Sequence, residues 1–272
     1  MKRVNLPSHS AKSARHIAFI NIIMEELKKH RLSFVEKDLV AESESNNVAK
    51  ELIENLFFDM ARLSTKYDNE KFSDLPYTYS ERRLDSVLLP ALSKLCDARV
   101  LVEVPAVRQC ANRRFQVDKS SGRIDYWCIY KDYSFVIELK QSFDCFTTNT
   151  TRDRRVVKPW LKMNEQLQSL EKELKTYQEG TKGVVRIGLH IITAYSDKQP
   201  CNQLLKQFRE GIPETSDRLF KDLSKKYPSL KPDLMICWKI PERIVMDYEQ
   251  TFPGLWAVAK IYPAIKHHGS IA

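Results

Sequence analysis

The chain has 272 residues, of which 43% are apolar and 29% charged, and it carries 12 prolines but only seven glycines. This balance excludes a low-complexity or disordered chain and is sufficient for one large domain or a domain with an appendage. No run of 18 apolar residues is present, so no transmembrane helix is predicted. The basic N-terminus does not lead into an apolar signal core, and we therefore expect an intracellular, cytoplasmic protein.

The formal net charge of +9 is distributed unevenly along the chain. Residues 1–74 carry 12 basic and 12 acidic side chains, whereas residues 75–272 carry 32 basic and 23 acidic ones. A basic surplus confined to one region favours a polyanionic partner for that region. Ordinary solubility charge is the alternative.

Residues 1–74 are predicted to form an N-terminal helical region. Apolar residues recur at helical spacing over 13–30 and again over 48–60. Ser33 and Glu36 form a capping-box pattern for a short helix, and Asn46 or Asn47 is a candidate cap for the helix that follows. Because its charge is balanced, we interpret this region as a packing or dimerisation element. The polar residues 67–74 mark its boundary.

Residues 75–272 are predicted to form an α/β domain with a C-terminal α/β extension. The first predicted helix begins after Ser80, and Pro90 should kink or divide it. The patterns then predict, in order, strands at 100–104, 123–130 and 134–140, a helix at 159–177, a strand at 184–194, helices at 204–210 and 215–225, and strands at 234–238 and 256–259.

The six cysteines, Cys96, Cys110, Cys128, Cys145, Cys201 and Cys237, are scattered and form no CxxC pair. This spacing disfavours a zinc finger or a cysteine-ligated iron–sulfur cluster. Reduced thiols are expected in an intracellular protein.

Two of the predicted strands flank a polar turn at residues 131–132. If these two residues form a tight hairpin, Tyr130 lies opposite Tyr133, and Asp125 then lies opposite Glu138. A four-residue loop would instead place Asp125 opposite Lys140. Either register puts the three charged groups on one face of the hairpin, because side chains alternate along a strand.

Two adjacent carboxylates form a hard-oxygen site suited to Mg²⁺ or Mn²⁺, and the carbonyl of Leu139 is a possible third ligand. Lys140 beside such an ion could position or deprotonate an attacking water and stabilise charge on a phosphate. The alternative is a cross-strand ion pair between Asp125 and Lys140 on a solvated face.

The segments Gly122-Arg123-Ile124-Asp125 and Val136-Ile137-Glu138-Leu139-Lys140 resemble the signature of the PD-(D/E)xK, or restriction-endonuclease-like, nuclease superfamily. The order helix, three strands, helix, strand over residues 80–194 is similar to the core of that superfamily. The resemblance implies a mixed central sheet flanked by helices. It also implies that Asp125 and Glu138 ligate the metal and that Lys140 acts with it. Ile124 stands where the signature has proline.

Members of this superfamily often add a carboxylate from the first core helix and a glutamine from the helix after the catalytic strand. Glu81 is the first candidate for that carboxylate, Asp85 the second, and Glu103 on the first strand an outside candidate. Gln166 is the candidate glutamine. The alternatives are a solvated helix N-terminus for Glu81 and a surface position for Gln166.

A basic cluster lies between the catalytic strand and the next helix, and Arg123 precedes the motif aspartate. The cluster comprises Arg152, Arg154, Arg155, Lys158 and Lys162. Such groups neutralise phosphates, so binding of nucleic acid should depend strongly on salt.

These features together predict a Mg²⁺- or Mn²⁺-dependent phosphodiesterase that acts on DNA as an endonuclease, in restriction, phage defence, a mobile element or repair. RNA as the substrate and a homodimer stay open. The alternative is a non-catalytic nucleic-acid-binding or assembly protein that retains the nuclease fold.

Overall fold

The structure is a computed structural model that describes residues 34–67, 75–111, 117–146, 153–170, 174–177, 180–196, 202–225, 228–241, 246–247 and 250–265. The strands are β1 Phe34–Asp38, β2 Val100–Ala111, β3 Val117–Tyr130, β4 Tyr133–Cys145, β5 Val184–Ser196, β6 Leu234–Lys239, β7 Met246–Asp247 and β8 Gln250–Ile265. The α-helices are α1 Glu44–Ser64, α2 Glu81–Leu95, α3 Lys158–Gln168, α4 Asn202–Glu210 and α5 Ile212–Lys225.

The strands form one mixed sheet in the order β1-β6-β8-β5-β4-β3-β2, with β7 paired to β8. Strands β4 and β5 run parallel, whereas the other neighbours are antiparallel. The parallel pair is joined through α3, as a crossover connection requires. The predicted α/β class, with a mixed sheet flanked by helices, is therefore confirmed.

Helices α1 and α2 cover one face of the sheet. Leu52, Leu56 and Met60 on α1 and Leu84 and Leu88 on α2 are fully buried and pack in one cluster with the odd-numbered residues of β4 from 133 to 139. Their spacing of three or four residues places them on one side of each helix. Helix α2 runs through Pro90 without division, so the predicted division there is wrong.

Helix α3 lies on the other face, against β4 and β5. Trp160 is fully buried and donates its indole N–H to the carbonyl of Leu230 over 2.9 Å. Gly188 on β5 lets the helix approach, because a Cβ there would lie 2.7 Å from Cε of Met163. Close packing of α3 thus brings it over the strand that carries the motif residues.

Two local predictions for the N-terminal region are wrong. The capping-box segment at Ser33 and Glu36 does not start a helix, because residues 34–38 form β1 and pair with β6. The conformation of this segment is determined by its pairing with a strand that is distant in sequence, and a local residue pattern cannot predict such pairing. The cap of α1 is Ser43, whose Oγ accepts from the backbone N–H of Asn46 over 3.2 Å.

The bounds of several elements also differ from the predictions. The helix predicted over 159–177 ends at Gln168, and a 3-10 turn occupies Leu174–Tyr177. The predicted helix over 13–30 lies outside the described residues. The domain boundary at residue 74 stays a prediction. The described part of residues 1–74 supplies β1 to the sheet and α1 to the core.

Four cysteines that the structure describes, Cys96, Cys128, Cys145 and Cys237, are buried free thiols. Among the described residues, no helix combines the length and apolar character needed to cross a membrane.

Candidate active site

The β3–β4 hairpin positions the motif residues. Lys131 and Asp132 both have positive φ, 46° and 64°, as the two-residue turns that match strand twist require. The pairing runs from Tyr130–Tyr133 to Tyr126–Ile137, so the two-residue turn is confirmed. The ladder ends one step before Asp125 and Glu138, so the predicted direct pairing of these two residues is not part of it.

The paired region of the hairpin ends at Tyr126–Ile137, and beyond it the two strands part. Strand β3 continues along β2, while β4 continues along β5 as far as Cys145. We call this opening between β3 and β4 the fork. The backbone N–H of Ser134 points towards β5, since it donates to Gly183. Because N–H groups alternate along a strand, those of Leu139 and Gln141 point into the fork.

Two carboxylates bind these N–H groups. Oδ2 of Asp125 accepts from the backbone N–H of Leu139 over 2.6 Å. Oε2 of Glu81, at the first residue of α2, accepts from the N–H of Gln141 over 3.2 Å. Helix α2 and strand β3 therefore each bring one carboxylate to the same edge of β4.

Lys140 lies at the centre of the acidic groups. Its Nζ is 3.6 Å from Oε1 of Glu138, 3.8 Å from Oδ2 of Asp125 and 3.9 Å from Oε1 of Glu81. It also donates to the carbonyl of Leu139 over 2.6 Å. We call Glu81, Asp125, Glu138 and Lys140 the acidic cluster. Three carboxylates around one ammonium carry a formal charge of −2, and the side chain of Glu138 is only 2% exposed.

The surroundings of the cluster perturb two titratable groups. Burial raises the pKa of Glu81, and the negative charge of Asp125 acts in the same direction, whereas Lys140 opposes it. Burial, assisted by the charge of Lys140, lowers the pKa of His190 to about 3. The imidazole of His190 is therefore neutral near pH 7.

His190 was not predicted from the sequence as a site residue. It is fully buried on β5 beside Lys140 in the strand register. Its Nε2 is 2.7 Å from Oγ of Ser142, and its ring stacks on Trp160. A histidine within the apolar run at 184–194 is a signal that could have identified it.

The second-choice carboxylate, Asp85, has a separate partner. It accepts a hydrogen bond from the hydroxyl of Tyr126, and burial together with Asp85 raises the pKa of that hydroxyl. The outside candidate, Glu103, is exposed on β2 and forms an ion pair with Arg123 over 3.3 Å. Of the three candidates for an additional carboxylate, Glu81, Asp85 and Glu103, Glu81 is thus the one that lies within 4 Å of Lys140.

The predicted nucleic-acid contacts lie around α3. Arg154 and Arg155 are exposed on a π-helical segment, Asp153–Val157, that leads into α3, and Lys158 and Lys162 are exposed on the helix itself. Arg152 lies outside the described residues. Gln166 on α3 has a buried Oε1 that accepts no hydrogen bond from the residues that the structure describes.

The donor set of the acidic cluster fits a divalent cation by its chemistry. No group of three His, Cys, Asp or Glu side chains among the described residues is arranged as a ready metal cluster. However, carboxylates of Asp125, Glu138 and Glu81 and the carbonyl of Leu139 all surround one positive group, Nζ of Lys140. Such oxygens are the ligands that Mg²⁺ and Mn²⁺ prefer.

A cavity of about 490 Å³ adjoins the cluster at the C-terminal end of β4. Gln141, Ser142 and Phe143 from β4, Tyr195 from β5 and Arg155 ahead of α3 line it. Ligands of open α/β sheets commonly bind at the carboxyl ends of parallel strands.

No model of a protein family matches the chain, and no curated protein matches it. The chain is similar to one solved structure, the crystal structure of SSO0001, at 17% identity and a TM-score of 0.21, over 64% of this chain and 73% of that chain. A likeness of this size establishes neither the fold family nor the function.

Proposed function

We propose that this protein is a metal-dependent nuclease with a restriction-endonuclease-like core, which hydrolyses phosphodiester bonds of DNA as an endonuclease. The observation that carries the proposal is the acidic cluster: α2, β3 and β4 direct Glu81, Asp125 and Glu138 towards one lysine, with its ammonium 3.6–3.9 Å from all three. These are the residues that the resemblance to PD-(D/E)xK nucleases assigned to catalysis.

The charge balance of the cluster favours a functional site over a structural ion pair. A buried ion pair is tolerated when its charges compensate one another, and an uncompensated buried charge costs several kcal/mol. Here the carboxylate of Glu138 is almost fully buried, whereas those of Asp125 and Glu81 are 23% and 39% exposed, and the ammonium of Lys140 lies within 3.6–3.9 Å of all three. Several carboxylates that converge at a partly solvent-accessible edge are the kind of oxygen site that binds a divalent cation.

Each residue of the cluster then has a role. Asp125, Glu138, Glu81 and the carbonyl of Leu139 would hold Mg²⁺ or Mn²⁺, and such an ion lowers the pKa of water and polarises a phosphate. Lys140 can hold the attacking water or stabilise negative charge on the phosphate. Hydrolysis forms a bond from the water oxygen to phosphorus and breaks one P–O ester bond, and the leaving oxygen takes up a proton.

Arg155 lines the cavity next to this site, and Arg154, Lys158 and Lys162 are exposed on the same segment and helix; we propose that these four cations bind the DNA backbone. Phosphate contacts of this kind position the substrate without reading its sequence. The proposal therefore predicts binding that weakens steeply as salt rises.

A cleavage assay on supercoiled and linear DNA with Mg²⁺, Mn²⁺ or EDTA tests the proposal. We expect the wild type to nick or cut DNA only with the cation. Glu138→Ala, Asp125→Ala and Lys140→Ala should each lose at least about 100-fold in rate while still binding DNA. Glu44→Gln removes an exposed acid on α1 and should cut like the wild type.

Full cleavage by any of the three cluster variants would contradict the proposal. A wild-type protein that binds DNA but never cuts it with either cation would instead favour a non-catalytic DNA-binding role. An RNA substrate of the same sequence, assayed in parallel, decides between the two nucleic acids.

A further inference from the structure

The cavity at the end of β4 begins next to the acidic cluster. Gln141 and Ser142, which line it, directly follow Lys140, and a strand rises about 3.3 Å per residue. The cavity wall therefore starts within about 7 Å of Lys140 along β4. Gln141 belongs both to the acidic cluster's surroundings and to the cavity wall, because its backbone N–H binds Glu81 and its side chain lines the cavity. The side-chain Nε2 donates to the carbonyl of Tyr77 over 3.2 Å.

The walls of the cavity differ chemically from the acidic cluster. Phe143 contributes a partly exposed aromatic ring, and the buried ring of Tyr195 packs edge-to-face against it with the centroids 6.1 Å apart. Arg155 adds a guanidinium that donates to the hydroxyl of Tyr195. A guanidinium has five N–H donors, and a single hydroxyl group cannot accept all of them. None of the described residues that line the cavity is Asp or Glu.

These walls suit an anionic ligand that carries a flat ring. Aromatic side chains bind nucleobases through their π faces, and a guanidinium binds phosphate through parallel hydrogen bonds. A volume of about 490 Å³ lies within the roughly 300–1,000 Å³ that holds small ligands. A base that is stacked in a duplex must leave the stack before it can enter such a pocket.

We propose that this cavity binds the nucleotide next to the cleaved bond, with the base against Phe143 and a phosphate on Arg155. The substrate is then DNA with an unpaired nucleotide at the cleavage position, as in a single strand, a flap or a frayed end. An unpaired base enters at a lower cost than a paired one, because no base pair has to be broken. This inference rests on the proposed nuclease function.

Binding of deoxyadenosine monophosphate to the full chain in EDTA tests the cavity without any cleavage. Calorimetric titrations with the monophosphate, with deoxyadenosine and with inorganic phosphate separate the contribution of the ring from that of the anion. Phe143→Leu keeps the apolar volume but removes the π face. Arg155→Gln removes the cation from an exposed side chain, and Lys182→Gln removes a cation that pairs with Glu44 at the opposite end of β5.

We expect the monophosphate to bind more tightly than either fragment. Phe143→Leu should weaken the monophosphate and deoxyadenosine by roughly 10-fold or more, the change that corresponds to base–aromatic stacking, and should leave phosphate unchanged. Arg155→Gln should weaken the monophosphate and phosphate by a similar factor. Lys182→Gln should behave like the wild type.

Cleavage of single-stranded, overhanging and duplex DNA of one sequence then separates the two proposals. A preference for unpaired DNA that Phe143→Leu reduces supports the inference. Duplex cleavage without monophosphate binding, or with binding that neither variant weakens, would overturn it and leave the nuclease proposal standing. Monophosphate binding with the expected variant pattern, in a chain that never cleaves DNA, would support the cavity and contradict the nuclease.

Discussion

Replacing Glu138 by glutamine should make the protein more stable when no divalent cation is present. Glutamine keeps the size of the side chain and its capacity for hydrogen bonds, but it removes one charge from a cluster whose formal charge is −2. The side chain of Glu138 is 2% exposed, so the wild-type carboxylate is poorly solvated. In a structural ion pair, the same substitution would leave a buried ammonium without its partner.

The magnitude follows from the distances in the cluster. One pair of opposite charges about 4 Å apart interacts by about 4 kcal/mol at an effective dielectric constant of 20, and Lys140 provides this attraction for Glu138 at 3.6 Å. Repulsion from Asp125 and Glu81 opposes it, and burying a carboxylate costs several kcal/mol more. We expect the balance to favour Glu138→Gln by about 1–2 kcal/mol, which raises Tm by about 4 °C in a chain of this size.

Thermal unfolding followed by circular dichroism measures the effect, first in EDTA and then with Mg²⁺ or Mn²⁺. At ten times its Kd, a cation stabilises the wild type by about 1.4 kcal/mol, and Glu138→Gln should lose most of that gain. Glu51→Gln is the control, because the carboxylate of Glu51 pairs with a single ammonium, that of Lys131 at 2.6 Å, in a partly exposed position, and glutamine keeps an oxygen that can accept from the hydroxyl of Tyr130. That control should lose about 1 kcal/mol or less and keep the response to the cation.

A loss of about 3 kcal/mol or more in Glu138→Gln, with no cation response in the wild type, would refute this reasoning. That outcome is the one expected for a buried structural ion pair from which one partner has been removed.

Two further predictions concern β5. The pKa of His190 is lowered to about 3 in the folded chain, whereas a histidine in the unfolded chain titrates near about 6.5. Between these two pH values the unfolded chain therefore binds one more proton than the folded chain. The free energy of unfolding should accordingly fall by about 1.4 kcal/mol per pH unit as the pH decreases from about 6.5. His190→Asn should flatten this slope in urea unfolding at several pH values, and equal slopes would contradict the buried neutral imidazole. Gly188→Ala should cost about 1 kcal/mol, because its Cβ would meet the terminal methyl of Met163 at 2.7 Å and that flexible side chain has to change its rotamer. Met163→Ala should relieve part of that cost in a double-mutant cycle, and strict additivity would count against the clash.

The hairpin at the centre of the site could be predicted because its information is local. A two-residue turn at Lys131 and Asp132 determines the register back to Tyr126, and alternation along the strands then assigns a face to each side chain. Glu81 could be proposed from the resemblance alone, but its bond to the backbone of Gln141 depends on how α2 packs against the sheet. No spacing in the sequence contains that packing.

Features built from distant segments were not accessible in the same way. The sheet joins β1 to β6 across about 200 residues, and residues 34–38 alone resemble the start of a helix. The aromatic and basic walls of the cavity come from β4, β5 and the segment before α3. No lining residue indicates a binding site by its position in the sequence, and only the fold brings these residues together.

The fork between β3 and β4 gives Asp125 a structural role that does not depend on the proposed catalysis. Its carboxylate accepts the N–H of Leu139 that the strand ladder no longer pairs, and a buried N–H without an acceptor costs about 1–3 kcal/mol. In a descendant that had lost its chemistry, selection for folding alone would retain Asp or Asn at this position, since both offer the acceptor oxygen. If the proposed nuclease activity holds, a preserved Lys140 is therefore a better indicator of that activity among relatives of this chain than a preserved Asp125.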